Sequence, residues 1–111
     1  RVGGFEGGTV TWAPTNITYG HNNRSAQFRF PQNRYCIENR AADMTMNVYL
    51  ALAMTLSAAM DGIKNKTDPG KPTDQDLYQM TEDQFKKLGI KRLPKNLILS
   101  CQSLWMLMEK R

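Results

Sequence analysis

Apolar and polar residues alternate in the first third of the chain, and the period then changes. Ser25 to Pro31 places Ala26, Phe28 and Phe30 on one face and Gln27 and Arg29 on the other, which predicts a half-buried strand. Tyr35 to Arg40 predicts another, with Ile37 on one side and Cys36, Glu38 and Arg40 on the opposite side. Val10 to Tyr19 is rich in β-branched and aromatic residues, with Pro14 marking an edge or a bulge. Short strands separated by turns such as Gly20-His21-Asn22-Asn23 predict antiparallel pairing. From Asn47 to Lys66 the apolar residues follow helical spacing and also occupy the flanks, which predicts a buried helix capped by Thr45 or Asn47. Thr81-Glu82-Asp83-Gln84 has the character of a capping box, and that helix should end near Gly89. The expected fold class is α+β: antiparallel strands over about 10–41, a buried long helix over about 47–66, a loop over 67–80, and two further helices over about 81–89 and 95–110, the last amphipathic.

With 111 residues and 41% hydrophobic content, the chain has room for one domain with a modest core. No apolar run approaches the ~18 residues of a membrane span, so no membrane partner is expected. Cys36 and Cys101 are far apart and lack CxxC spacing, which suggests neither a zinc site nor a disulfide framework and makes a reducing, cytoplasmic setting the default. The three Asn-x-Ser/Thr sequons at Asn16, Asn23 and Asn65 read as coincidence, since no secretory signal is expected.

The net charge of +5 admits a nucleic-acid binder, but the basic residues form no long stripe. The lysines read as a solvated surface. The arginines between Arg24 and Arg40 are embedded in strand-like sequence, where they suit small anions such as nucleotide phosphates or carboxylates better than a duplex, and no nucleic-acid partner is expected. Glu38 and Arg40, two residues apart, share a strand face. Two readings of this constellation stand side by side: a salt-bridged surface, or a phosphate and metal site in which Glu38 offers oxygen to a hard cation and the arginines neutralise phosphoryl charge.

The run Asn23-Arg24-Ser25-Ala26, with Arg29 and Pro31 following, resembles the NRSAxxRxP motif of glutamine synthetases. In order along the chain, Ile37-Glu38-Asn39-Arg40 is similar to their IEVR strand, Asp43 with Asn47-Val48-Tyr49-Leu50 to their DxxxNPYL segment, and Met60 to Lys66 to LDGIKNK. Asp68-Pro69-Gly70 and Asp76-Leu77-Tyr78 resemble the HPG and NLY stretches that come next, so the likeness runs from residue 12 to about 98. It implies a C-terminal part of such a catalytic domain and an ATP-dependent ligase that makes a γ-glutamyl amide from glutamate and ammonia through a γ-glutamyl phosphate, with Mg2+ or Mn2+. It also implies acidic strands and a β-grasp domain ahead of Arg1, a ring-shaped, dodecamer-like homo-oligomer for the whole enzyme, and no ATP turnover by these 111 residues alone.

By the same resemblance, Glu38 ligates the metal, Arg24 stabilises the transferred phosphoryl group and binds glutamate, and Arg29 contacts the nucleotide phosphates. Arg40 binds the glutamate side-chain carboxylate, and Arg1 matches more loosely an arginine that binds substrate. Asp43 and Asp61 cap and position the long helix. Tyr78 stands where some bacterial members are adenylylated, although an ordinary loop tyrosine is the simpler reading.

Three departures qualify the match. The flap reads Thr11-Trp12-Ala13-Pro14 where the family has YEAP, so its glutamate is missing, with Glu6 a substitute at best. Trp12 resembles the branch that joins glutamate to amines, such as γ-glutamylmethylamide or γ-glutamylpolyamine synthetases, which makes an organic amine the alternative acceptor. Tyr35-Cys36 replaces a pair of arginines, leaving Arg34 as a displaced nucleotide-phosphate candidate, and Val48 replaces the proline of the helix start. A non-catalytic relative serving as an interaction module is the further alternative.

Overall fold

The computed structural model describes residues 13–108. Arg1, Glu6, Trp12 and the Gly-rich stretch of residues 1–9 lie outside the described residues. The chain divides into two compact units, one of residues 1–41 with 72–111 and one of residues 42–71.

In the larger unit the strands are short: β1 Asn16–Ile17, β2 Tyr19–His21, β3 Phe28–Phe30, β4 Glu38–Asn39 and β5 Lys91–Arg92. β1 pairs with β5 antiparallel, setting Asn16 opposite Arg92. β3 pairs with β4 antiparallel, setting Arg29 opposite Glu38. β2 and β3 differ from the expected antiparallel pairing: they run parallel, with Tyr19 opposite Phe28 and His21 opposite Phe30. Parallel neighbours ordinarily need a long crossover. Here residues 22–27 suffice because they fold inward, burying Asn23, Ser25 and Ala26 rather than making a hairpin. Asn22 starts the reversal at φ 52°, a left-handed conformation that asparagine tolerates better than most residues. Gly20 is required by close approach, since a Cβ there would lie 2.3 Å from the carbonyl oxygen of Thr73.

The core is small. Ala26, Leu77 and Phe85 are buried together, with Met80 and Ile90 packed against them. Leu77 belongs to a 3-10 turn over Leu77–Gln79, capped by Asp76. Phe85 lies on α1, here the short helix Glu82–Leu88, where the Gln84 side chain accepts from the Thr81 N–H at 2.7 Å. Gly89 ends that helix in the left-handed conformation, and the Ile90 N–H returns to the carbonyl of Phe85 at 3.0 Å. The last helix, α2, runs Leu97–Met108 behind an Asn96 cap that accepts from the Leu99 N–H at 2.9 Å.

The second unit holds the long helix, αL, over Val48–Lys64. Asn47 caps it, accepting from the Leu50 N–H at 3.1 Å. Asp43 folds the preceding turn by accepting from the Thr45 N–H and hydroxyl. Asp61, expected to cap, instead lies inside the last turn, and its backbone carbonyl accepts from the Asn65 N–H. The helix ends in a Schellman motif: Lys66 takes φ 50°, and the N–H groups of Lys66 and Thr67 return to Ile63 and Gly62.

The sequence pattern predicts a buried long helix, yet no residue of αL is buried. Tyr49, Leu50, Met54 and Ile63 are each between 64% and 86% exposed. The apolar pattern records a burial that these residues do not obtain among the described residues. None of the helices among the described residues is long and apolar enough to cross a membrane.

Candidate functional site

The expected strand residues meet through the β3–β4 register. Arg29 faces Glu38 across the antiparallel pair, and Arg29 Nη1 donates to Glu38 Oε2 at 2.9 Å. Arg34, in the turn between the two strands, donates through Nη2 to the other oxygen, Glu38 Oε1. Arg29 uses its second terminal nitrogen on Asn22 Oδ1. One carboxylate therefore holds two guanidinia, one of them mostly buried (Arg29 side chain 15% exposed) and one exposed. The bond from Arg29, then that from Arg34, pulls the Glu38 carboxyl below the usual carboxylate range, and the bond to Glu38 raises Arg34. Two guanidinia against one carboxylate leave the cluster a net cation, suited to an anion. A groove formed by Phe30, Pro31, Gln32, Asn33, Tyr35 and Ile37 lies along this turn.

Arg40 sits in the turn just past β4, partly buried, with its backbone N–H donating to the carbonyl of Gln27 at 2.8 Å. Its charge reaches Tyr78, whose hydroxyl is raised by burial against the opposing influence of Arg40. Tyr78 donates to the carbonyl of Ala13 at 2.6 Å, which ties it to the residue beside Trp12. Arg24 is exposed and makes no ion pair among the described residues. The structure thus unites Arg29, Arg34 and Glu38, places Arg24 within the connection of residues 22–27 and Arg40 just past β4, and leaves Arg1 outside the described residues.

An implied divalent metal can be tested against the donor set. Each Glu38 oxygen carries one arginine bond, and a carboxylate oxygen has a further lone pair to offer. Glu38 is ionised and partly exposed, so it fits the role of a single oxygen ligand. Among the described residues no group of three or more His, Cys, Asp or Glu side chains comes together to complete a site. Cys36 and Cys101 are both free and exposed.

Sequence reasoning missed three residues around this cluster. Asn22 supports Arg29. Asn23 and Ser25 flank Arg24, and their side chains are buried against residues 73–77, some fifty positions away. The NRSA motif was a signal for the place but not for that partner.

Residues 9–106 match the family described as glutamine synthetase, catalytic domain. A glutamate–methylamine ligase of Methyloversatilis universalis is 47% identical over 88 residues, covering 79% of this chain and 20% of that protein. A glutamine synthetase of Helicobacter pylori is 43% identical over 96 residues, covering 83% of this chain and 20% of that protein. Among solved structures, a GmaS/ADP complex superposes with a TM-score of 0.73 at 36% identity, covering 91% of this chain and 22% of that one. The chain thus spans about a fifth of the length of the curated relatives it matches. Across nearly all of its length, this chain belongs to the glutamine synthetase catalytic-domain family.

Proposed function

We propose that this chain forms one wall of the active site of an ATP-dependent ligase that joins glutamate to ammonia through a γ-glutamyl phosphate. The observation that carries the proposal is the Arg29–Glu38–Arg34 cluster, a net-cationic, partly exposed group centred on β3 and β4 in a chain matched to the family over residues 9–106. Chemically, a γ-carboxylate oxygen of glutamate attacks the terminal phosphorus of ATP and ADP departs. The nitrogen of ammonia then attacks the acyl carbon, phosphate departs, and the nitrogen loses a proton. Charge builds on phosphoryl oxygens in the first step and on the acyl oxygen in the second, so fixed guanidinia are the residue type required.

In this reading Arg29 and Arg34 neutralise nucleotide phosphates, with Glu38 and Asn22 fixing the plane of Arg29. Arg24 meets the transferred phosphoryl group, and Arg40 the glutamate carboxylate, with Arg1 a further substrate contact. Glu38 would give one oxygen to Mg2+ or Mn2+, which when bound screens phosphate charge. The remaining ligands, the ring-shaped homo-oligomer and a cytoplasmic setting belong to the same proposal.

A second reading concerns only the acceptor. Trp12 at the flap and the 47% identity to a glutamate–methylamine ligase favour methylamine or a larger amine. Full-length protein assayed for glutamate-dependent phosphate release from ATP tests both. Turnover with ammonium supports the first, a higher kcat/KM with methylamine supports the second, and absence of turnover with either acceptor refutes the ligase reading. The 111-residue chain alone is expected to release no phosphate.

A further inference from the structure

The segment 73–77 runs along residues 19–25 and meets every second one of them. The Thr73 N–H donates to the carbonyl of Tyr19 at 2.8 Å, and the His21 N–H donates to Asp74 Oδ1 at 2.6 Å. Asn23 Nδ2 donates to the carbonyls of Thr73 at 2.6 Å and Gln75 at 2.9 Å. The Leu77 N–H donates to Ser25 Oγ at 2.9 Å. Asn23 Oδ1 closes the set by accepting from both the Ser25 N–H at 2.9 Å and its hydroxyl at 2.7 Å. Asn23 is 9% exposed and Ser25 3%. The alternate residues do something else: Asn22 holds Arg29, and Arg24 stays exposed.

We infer that Asn23 and Ser25 are positioning residues that lock residues 73–77 against the loop and thereby fix the backbone on both sides of Arg24. Every polar atom of the Asn23 side chain is engaged, and the Ser25 hydroxyl both donates and accepts. Buried groups satisfied this fully define one arrangement of the backbone, because any other leaves several of them unpaired. Arg24, which has a long side chain and no ion-pair partner among the described residues, takes its placement from that backbone. Leu77 and Ala26, buried together, seal the lock from the core side. The inference rests on the proposed role of Arg24 in meeting the phosphoryl group.

The test uses the full-length enzyme with N23A, S25A, R24A and the combinations N23A/R24A and S25A/R24A. N23A and S25A should lower kcat by about 10- to 100-fold, the scale of a misplaced reacting group, with KM for ATP and glutamate changed by less than about threefold. Ser25→Thr, which keeps the hydroxyl, should restore most of the loss. Combined with R24A, either latch substitution should cost little more than R24A alone, because the effect passes through Arg24. Losses that multiply in the double variants, or wild-type kcat in N23A and S25A, overturn the inference. Should the alanine variants not fold, Asn23→Asp carries the same test, since it keeps the acceptor for Ser25 and removes both amide donors. If R24A alone retains full activity, the role of Arg24 in the ligase reading fails. If R24A is crippled while the latch variants are not, only this inference fails.

Discussion

The loop-and-strand region around Arg24–Arg40 and the long helix αL satisfy their side chains in opposite ways. In the first, several polar side chains find counterparts among the described residues: Glu38 holds two arginines, Asn23 and Ser25 hold residues 73–77, and Asn22 holds Arg29. In αL no residue is buried among the described residues. Helix αL is capped by Asn47 at the start and closed by the Schellman turn at Lys66. The difference teaches that the polar side chains of the strand region are written for partners among the described residues, some of them fifty positions away, while the apolar side chains of the helix are not. A helix of this length gains most of its stability from packing an apolar face rather than from propensity.

The most severe way to break the comparison is to remove the centre of the polar region. Glu38→Ala leaves Arg29 and Arg34 without their shared acceptor, and Arg29→Ala removes the cation with the more buried side chain. On the proposed reading, each should lower kcat/KM of the full-length ligase by about 100- to 1000-fold, the cost of losing one preorganised charge among the groups that hold the nucleotide phosphates and the metal. Steady-state phosphate release checks this. Losses below tenfold in both variants would return the cluster to the status of a surface ion pair.

How much of this was readable beforehand depends on the reach of each signal. Period-two alternation places Arg29 on a polar face and Glu38 on the neighbouring strand, and the register then sets them opposite each other. Asn23 and Ser25 could be placed but not explained, because their partners at Thr73, Gln75 and Leu77 lie about fifty residues away, beyond any local pattern. β5 was invisible for another reason: Lys91-Arg92 carries no apolar alternation, and its pairing comes from the buried stretch at Asn16. Parallel pairing of β2 with β3 was hidden because a short connection between strands normally signals a hairpin. Burial of αL is the reading of apolar residues at helical spacing and on the flanks, and such a pattern reports the environment that selected a segment.

The two regions should also answer differently to the same apolar truncation. Leu77 is 2% exposed, so Leu77→Ala should destabilise the 111-residue chain and the full-length protein alike, by about 2–5 kcal/mol in denaturant titration. Leu56 on αL is 57% exposed, so Leu56→Ala should shift the 111-residue chain by less than about 0.5 kcal/mol. In the full-length protein the same change should approach the cost at Leu77 if the helix is covered there. Equal, small effects of Leu56→Ala in both would mean that αL is exposed in the whole protein too.

The smallest expected effect is in pH dependence, and it separates the regions by charge. The Glu38 carboxyl titrates below its ordinary range because Arg29 and then Arg34 stabilise the ionised form. Asp74 is likewise lowered, chiefly by the His21 N–H. A group whose folded pKa is depressed contributes stability that is fully present above its unfolded pKa and is lost as pH falls through the folded value. Stability from Glu38 and Asp74 should therefore be constant near neutrality and decline below about pH 5, where free carboxylates begin to protonate. Both groups are substantially solvated, so the decline should be shallow. Thermal melts between pH 7 and pH 3 should show it, and Glu38→Gln should flatten part of the slope. An acid limb left unchanged by Glu38→Gln would show that the ion pairs of Glu38 with Arg29 and Arg34 add nothing to stability.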